Sequence, residues 1–502
     1  MTMIILRPRF ILQPIGFRSC NNALVNVIIR PAALILLFLL SSRDASAKRP
    51  AVIRLEAENA DRYGVVVAAE RPGFSGTGYV TGFDLDGDRV VFKFKARAGL
   101  YELRIRYALP SGSKEYEIRV NDENRTGMLA GKTGVFTEMT AGKYLLRDGE
   151  NEVVVGKGWG WYELDRLEFV PASASSPGKP SRRLADHGAD AGARALFDCL
   201  VDLYGSKTLA GQQDFGEIAY ARSVTGREPA VGAFDLMEYS PSRIEHGSNP
   251  GDYLDRVIDW GRDGKGIVSL SWHWNAPSHL IDKPDGKEWW RGFYTEATTF
   301  DLEKALADPA SEDYRLLLRD MDAIAVQLRR LQDAGIPVLW RPLHESQGGW
   351  FWWGARGPDP LVRLWRLMFE RFTNHQGLHN LIWVFTSSTE PGAWYPGDRY
   401  VDVIGADIYT EPHSSMSGEW DALRRLYGSR KLIALTETGT LPLPDRMRAF
   451  EVRWSWFSVW SGRFLRIIPP DEIRSVYDHP DVVTRDRLPE FLKLPLTRQP
   501  AR

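Results

Sequence analysis

VLWRPLHE, from Val338 to Glu345, and LIALTETG, from Leu432 to Gly439, are apolar runs that each turn polar at a glutamate. Between them lie two more runs of the same kind, LIWVFTSS and VDVIGADIY. Uninterrupted apolar strands of this length are buried on both faces, as in a parallel sheet covered by crossover helices. Outward from this pair the pattern continues with TLAGQQD, PAVGAFD and GIVSLSWH before it and WSWFSVW after it, which makes eight candidate strands. Amphipathic stretches such as Tyr314 to Gly335 lie between several of them, with Gly335 placed to cap that helix. Eight strands alternating with helices predict a (β/α)8 TIM barrel over 187–502. The alternative, an open doubly wound sheet, lacks its Gly-rich phosphate turn after the first strand.

The amino-terminal part reads differently. From Arg54 to Val170 short alternating runs such as YELRIRYAL and VVFKFKA are separated by Gly/Asp turns (GFDLDGD, RDGEN), which predicts an antiparallel β-sandwich of jelly-roll type over 48–171. PASASSPGKPSRR has no periodicity and marks a linker over 172–186. Residues 1–47 carry scattered arginines, a short apolar run from Ala32 to Leu40 and Ala45-Ser46-Ala47, the pattern of a cleaved signal peptide. The expected product is secreted, extracellular or periplasmic, with no stable membrane insertion after cleavage.

The chain has 64 basic and 65 acidic residues, which gives no electrostatic reason to expect nucleic acid. Cys20 would leave with the leader, so Cys199 stands alone and no internal disulfide can form. Its place in ALFDCLVDLYG, at helical spacing, suits a core thiol. His273, His344 and His413 raise zinc as an option, but there is no HExxH and no Cys pair, and the histidines come from separate runs.

If the eight strands are real, their carboxyl ends gather Asp214, Asp235, His273, His344, Glu345, Asp407, Tyr409, Glu437 and Trp460 at one mouth. Two carboxyls there could be a pair of strand-end ion pairs, or they could flank a glycosidic bond. Retaining chemistry needs them ~5–5.5 Å apart, one protonated and one ionised. Arg341 or Tyr409 could keep one of them charged and oriented. The chain also has 18 tryptophans. Trp272, Trp274, Trp289, Trp290, Trp350, Trp352, Trp353 and Trp394 fall in predicted loops or strand ends, where sugar faces could stack on them.

FDLMEYSPSR, SWHWNAP, WRPLHE with Trp350 five residues on, GADIY and LTETG resemble glycoside hydrolase family 26, the β-mannanase family, over about 190–465. That family places His before its acid/base, as His344 precedes Glu345, where most of the wider clan has Asn. The resemblance implies Glu345 as acid/base and Glu437 as nucleophile, with Asp235, His273, His344, Trp350, Asp407 and Tyr409 around the sugar. It implies Trp460 as the platform beneath it, with Trp454 and Trp456 as competitors for that place. EAENA, SGTGYV and WGWYELDRLEF resemble a family 35 carbohydrate-binding module over about 53–171. That likeness implies a structural calcium held by Glu56, Glu58 and Asp165, and makes Trp159 and Trp161 candidate sugar contacts. No catalytic cofactor is implied. The expectation is a monomeric, retaining endo-β-1,4-mannanase acting on mannan, glucomannan or galactomannan. The alternatives are a family 26 xylanase or mixed-linkage β-glucanase, or a non-catalytic polysaccharide-binding protein.

Overall fold

The structure, a computed structural model, describes residues 51–172, 177–262 and 266–488. The signal-peptide reading therefore lies outside the described residues. Among these no helix is long and apolar enough to cross a membrane.

The predicted sandwich is present. One sheet runs Val66–Ala68, Tyr79–Thr81, Glu163–Pro171, Gly99–Ala108, Thr137–Leu146, and Ile53–Glu56 also pairs with Glu163–Pro171. The other runs Asp61–Tyr63, Arg89–Ala96, Gly149–Lys157, Lys114–Val120, Glu123–Leu129. All their pairings are antiparallel. The alternation seen in YELRIRYAL explains the core. Tyr101, Leu103, Ile105 and Tyr107 point inward and are 0–1% exposed, while the residues between them are partly exposed.

The eight expected strands close into a barrel in chain order: Gly211–Gln213, Val231–Asp235, Ile267–Ser271, Val338–Arg341, Leu381–Thr386, Val403–Ile408, Leu432–Thr438 and Phe457–Val459. All are parallel, and Gln212 opposite Val459 joins the first to the last. Nearly every residue in them is buried, because barrel interior and helical shell each cover one face. The helix Glu312–Asp333 shows how the shell is specified. Ser311 accepts the amide of Tyr314 at its start, and Glu312 and Asp313 stand at the positive end of its dipole. Leu317, Met321, Ile324, Leu328 and Leu331 recur every three or four residues on the buried face, and Gly335 at φ 70° ends the helix as expected.

The linker is not free along its whole length. From residue 177 onward it lies on the barrel: the Asp402 carboxylate accepts the amide of Ala185 at 2.6 Å, and Arg182 pairs with Asp198 and Asp202. The sandwich touches the barrel directly as well. Lys143 Nζ lies 2.9 Å from Asp421 with both side chains largely covered, Arg446 reaches Glu123 at 3.3 Å, and the Arg125 guanidinium stands over the Phe450 ring.

Barrel closure depends on a bare backbone at Gly211. A Cβ there would stand 2.3 Å from the carbonyl oxygen of Phe457, which belongs to the neighbouring strand and cannot swing aside. Gly211→Ala is expected to destabilise the protein by about 1–3 kcal/mol, an overpacking cost, read as a lowered midpoint in urea unfolding at unchanged m-value.

Candidate active site

Arg341, the last residue of the fourth strand, is 3% exposed and carries a charge into the barrel mouth. Its Nη1 donates to Asp407 Oδ2 at 2.6 Å and its Nη2 to Glu437 Oε2 at 2.8 Å. The other Glu437 oxygen accepts from the Tyr409 hydroxyl at 2.5 Å. Both partners anticipated for the seventh-strand glutamate are thus in contact with it. Register brings the acids together: Ala406 faces Leu435, but Asp407 faces Glu437, so a one-residue bulge slips Thr436 into the seventh strand. Thr436 Oγ1 then donates to Asp407 Oδ1 at 2.7 Å.

Burial raises the Asp407 carboxyl, with Arg341 opposing. Burial works against the Arg341 charge, but the two carboxylates hold its pKa above the usual guanidinium value. Burial and Glu437 raise the Tyr409 phenol, so it stays a hydrogen-bond donor across the working pH range.

Glu345 lies four residues beyond its strand, not at its end. The chain passes through Leu343 at φ 50° and Glu345 at φ 51°, a left-handed conformation that costs a side-chain-bearing residue about 1–3 kcal/mol. That bend turns the carboxyl back over the mouth. Burial and the nearby Glu437 charge raise its pKa, against Arg341 and the Trp350 indole, whose Nε1 donates to Glu345 Oε2 at 3.0 Å. Gly348 makes room for that indole, since a Cβ there would meet the Trp350 ring at 2.0 Å.

Across the mouth a polar chain starts at Asp235. Its Oδ2 is 2.6 Å from His273 Nδ1 and accepts from Ser271 Oγ at 2.8 Å, and its Oδ1 accepts the His273 amide. Burial raises Asp235, but the His273 charge and these bonds hold it below the usual carboxylate range. Burial opposes charging of His273, yet Asp235 lifts it above its ordinary value, while burial and Arg341 push His344 well below. His273 Nε2 and His344 Nε2 lie 3.2 Å apart, one ring donating and the other accepting, and His344 Nδ1 is buried with no protein partner. Trp460 borders the group, its ring 5.9 Å from that of His273, whereas Trp454 and Trp456 are buried and do not compete for its place.

The tryptophans correct one expectation. Trp272, Trp274, Trp352 and Trp353 are 0–1% exposed and form a core beneath the mouth instead of a sugar platform. Trp272 and Trp274 stack at 4.1 Å, Trp352 Nε1 donates to the Trp274 carbonyl at 2.6 Å, and Trp353 Nε1 donates to the His344 carbonyl at 2.9 Å. With each indole N–H satisfied inside, burial has no polar cost. Trp290 and Trp350 are about half exposed, and Trp289 and Trp394 partly so. Ser271 and Thr436 escaped the sequence reading. Their signal is position alone, two residues before His273 and one before Glu437.

In the sandwich, Ser75 donates to Glu56 and to Asp165, and Glu58 Oε1 accepts the Thr77 amide. A Cβ on Gly76 would stand 2.0 Å from Glu58 Oε1, so the loop closes tightly over the glutamates. Glu58 Oε2 is buried without a partner. Asp165 is already held by Arg106 Nε at 2.7 Å and by the Ser75 amide. Among the described residues no three His, Cys, Asp or Glu side chains converge as a metal site.

The family model "Glycosyl hydrolase family 26" matches residues 185–487, about the full length of the barrel. The chain belongs to that family. Residues 53–172 match "Carbohydrate binding module (family 35)". A mannan endo-1,4-beta-mannosidase of Thermothelomyces thermophilus is 43% identical over 89% of this chain and 93% of its own length, and mannan endo-1,4-beta-mannosidase A of Piromyces sp is 30% identical over 87% and 72%. Among solved structures, the Podospora anserina GH26-CBM35 β-(1,4)-mannanase superposes with TM-score 0.65 at 41% identity, covering 87% of this chain and 98% of that one. A ruminal GH26 endo-β-1,4-mannanase gives 0.71 at 26% identity, covering 88% and 99%. The chain is a glycoside hydrolase joined to a carbohydrate-binding module, and the family needs no catalytic cofactor.

Arg341→Met would leave Asp407 and Glu437 as two buried carboxylates without their cation. We expect it to destabilise the protein by about 3–5 kcal/mol, with part recovered by the double variant Arg341→Met/Asp407→Asn. Chemical denaturation at neutral pH measures both.

Proposed function

We propose that this protein is a retaining endo-β-1,4-mannanase that hydrolyses mannan, glucomannan or galactomannan, with Glu437 as nucleophile and Glu345 as acid/base. The observation that carries the roles is the difference in surroundings. Glu437 receives two charge-stabilising donors, Arg341 and Tyr409, and is fixed at both oxygens. Glu345 is raised by burial and by its neighbour's charge, so it holds a proton for the leaving oxygen. Glu437 attacks the anomeric carbon, Glu345 protonates the departing sugar, and Glu345 as carboxylate then takes a proton from the water that releases the glycosyl-enzyme. The mannan preference is supported by the names of the relatives. It is also supported by the pocket chemistry: Asp235, His273 and the unpartnered His344 Nδ1 offer polar groups for an axial 2-hydroxyl. Trp350 and Trp460 supply stacking surface, and Asp407 acts on the sugar through Arg341. In the module, Trp159 and Trp161, both more than half exposed beside Lys114, are the proposed polysaccharide contacts. Export rests on the leader read from the sequence.

Glu437→Ala should abolish turnover with the fold intact. Glu345→Ala should still react with substrates carrying good leaving groups and be rescued by azide. For wild type, kcat/KM should fall on the alkaline side as pH rises through the raised pKa of Glu345, because only its protonated form assists departure; this limb should vanish in Glu345→Ala assayed on an activated aryl mannoside. Early NMR spectra should show retained anomeric configuration. Release of short manno-oligosaccharides should far exceed activity on xylan or lichenan. Inversion, or a preference for lichenan or β-1,3-xylan, would refute the mechanism or the substrate respectively.

The module's calcium is part of the same proposal, with Glu56 and Glu58 as its principal ligands and Asp165 orienting the loop through Ser75. Hard oxygen donors at a buried, unpartnered carboxylate suit that ion. Calcium at about a hundred times its Kd should stabilise by about 2.7 kcal/mol. A chelator should therefore lower the Tm of the wild-type chain and leave Glu58→Gln unmoved. Identical melting of wild type with and without chelator would overturn it.

A further inference from the structure

Below the mouth, one carboxylate stands apart from the reacting groups and yet connects to them. Asp320 lies in the middle of the helix Glu312–Asp333, is 0% exposed, and occupies a position whose neighbours on that face are all apolar. Its Oδ2 accepts the Trp274 indole N–H at 2.9 Å, and its Oδ1 accepts from Arg319 Nε at 2.9 Å. An apolar residue here would leave the buried Trp274 N–H without an acceptor, so the acid fixes that indole in place. Burial pushes this carboxyl up to about 6, with Trp274 and Arg319 opposing, so the group is ionised near neutrality at a real cost. Trp274, held there by its side chain, is tied towards the mouth by its main chain. The Trp274 carbonyl accepts Trp352 Nε1, Trp353 Nε1 is fixed on the His344 carbonyl, and Trp350, two residues earlier in the same loop, donates to Glu345 Oε2. The loop that carries Trp350 thus has two indole staples, one on the third strand's end and one on the fourth's. The first of them is anchored by Asp320.

We infer that Asp320 is a positioning residue for the acid/base carboxylate, acting through Trp274 and Trp352 to hold the Trp350 loop on Glu345. This rests on the proposed role of Glu345. Without the anchor the Trp274 N–H is left buried and unpaired, the residue whose carbonyl holds Trp352 shifts to relieve it, and the Trp350 partner of the Glu345 carboxyl moves with the loop. Displacements of this size can cost about ten- to a hundredfold in the assisted step.

The test exploits the leaving group. kcat/KM reports bond cleavage to the glycosyl-enzyme, and an activated dinitrophenyl mannobioside needs little proton donation there, whereas mannotetraose needs it fully. Asp320→Ala is expected to lose at least about tenfold in kcat/KM on mannotetraose and less than about threefold on the activated substrate. Asp320→Asn, which keeps an acceptor for the indole, should fall between it and wild type. Trp352→Phe keeps the ring but removes the staple, and should repeat the discrimination even where Asp320→Ala fails to fold. Equal losses on both substrates, or wild-type values on both, in the variants that fold would overturn the inference. Glu345→Ala run in parallel separates the two readings: if it too shows no leaving-group discrimination, the acid/base assignment itself is at fault.

Discussion

A guanidinium shared by two buried carboxylates governs this molecule. Arg341 could not be buried where it is without Asp407 and Glu437, whose side chains take both of its terminal nitrogens. The barrel meets this demand through register, since the bulge at Thr436 brings Asp407 and Glu437 level on adjacent strands with Arg341 reaching across. Arg341, Asp407, Glu437 and Asp235 stand on strands, while His273 lies just past one and Glu345 hangs on a turn. That turn is held in a left-handed conformation by the packing beneath it.

Much of this was legible in the chain. The eight apolar runs announced the barrel because parallel strands are buried on both faces and have no polar alternation to blur them. The sandwich announced itself by the opposite signal, the strict alternation of Tyr101, Leu103, Ile105 and Tyr107. The strand-end positions of Asp235 and Glu437 were legible because each closes an apolar run where the chain turns polar. Arg341 and Tyr409 followed from asking what could keep a buried carboxylate charged.

What failed to show has a physical reason in each case. Sequence position alone cannot tell a tryptophan over a site from one beneath it; Trp352 and Trp353 lie beneath because the loop folds their rings inward, with acceptors at the Trp274 and His344 carbonyls. Glu345 looked like the end of a strand because the left-handed turn at Leu343 and Glu345 uses residues that rarely adopt it. The bulge at Thr436 has no residue signature, being a difference in length between two paired strands. The linker looked unattached because its Pro, Ser and Gly content carries no trace of Asp402, far along the chain, waiting for the Ala185 amide.

The covered ion pair between Lys143 and Asp421 bears on how the two domains can act together. A binding domain on a slack tether raises the local concentration of polymer around an active site in every direction, with an avidity set by tether length. A module that meets the barrel through Lys143 and Asp421 and through Arg446 and Glu123 lacks that freedom, so any gain from a second contact would turn on orientation and not on tether length alone.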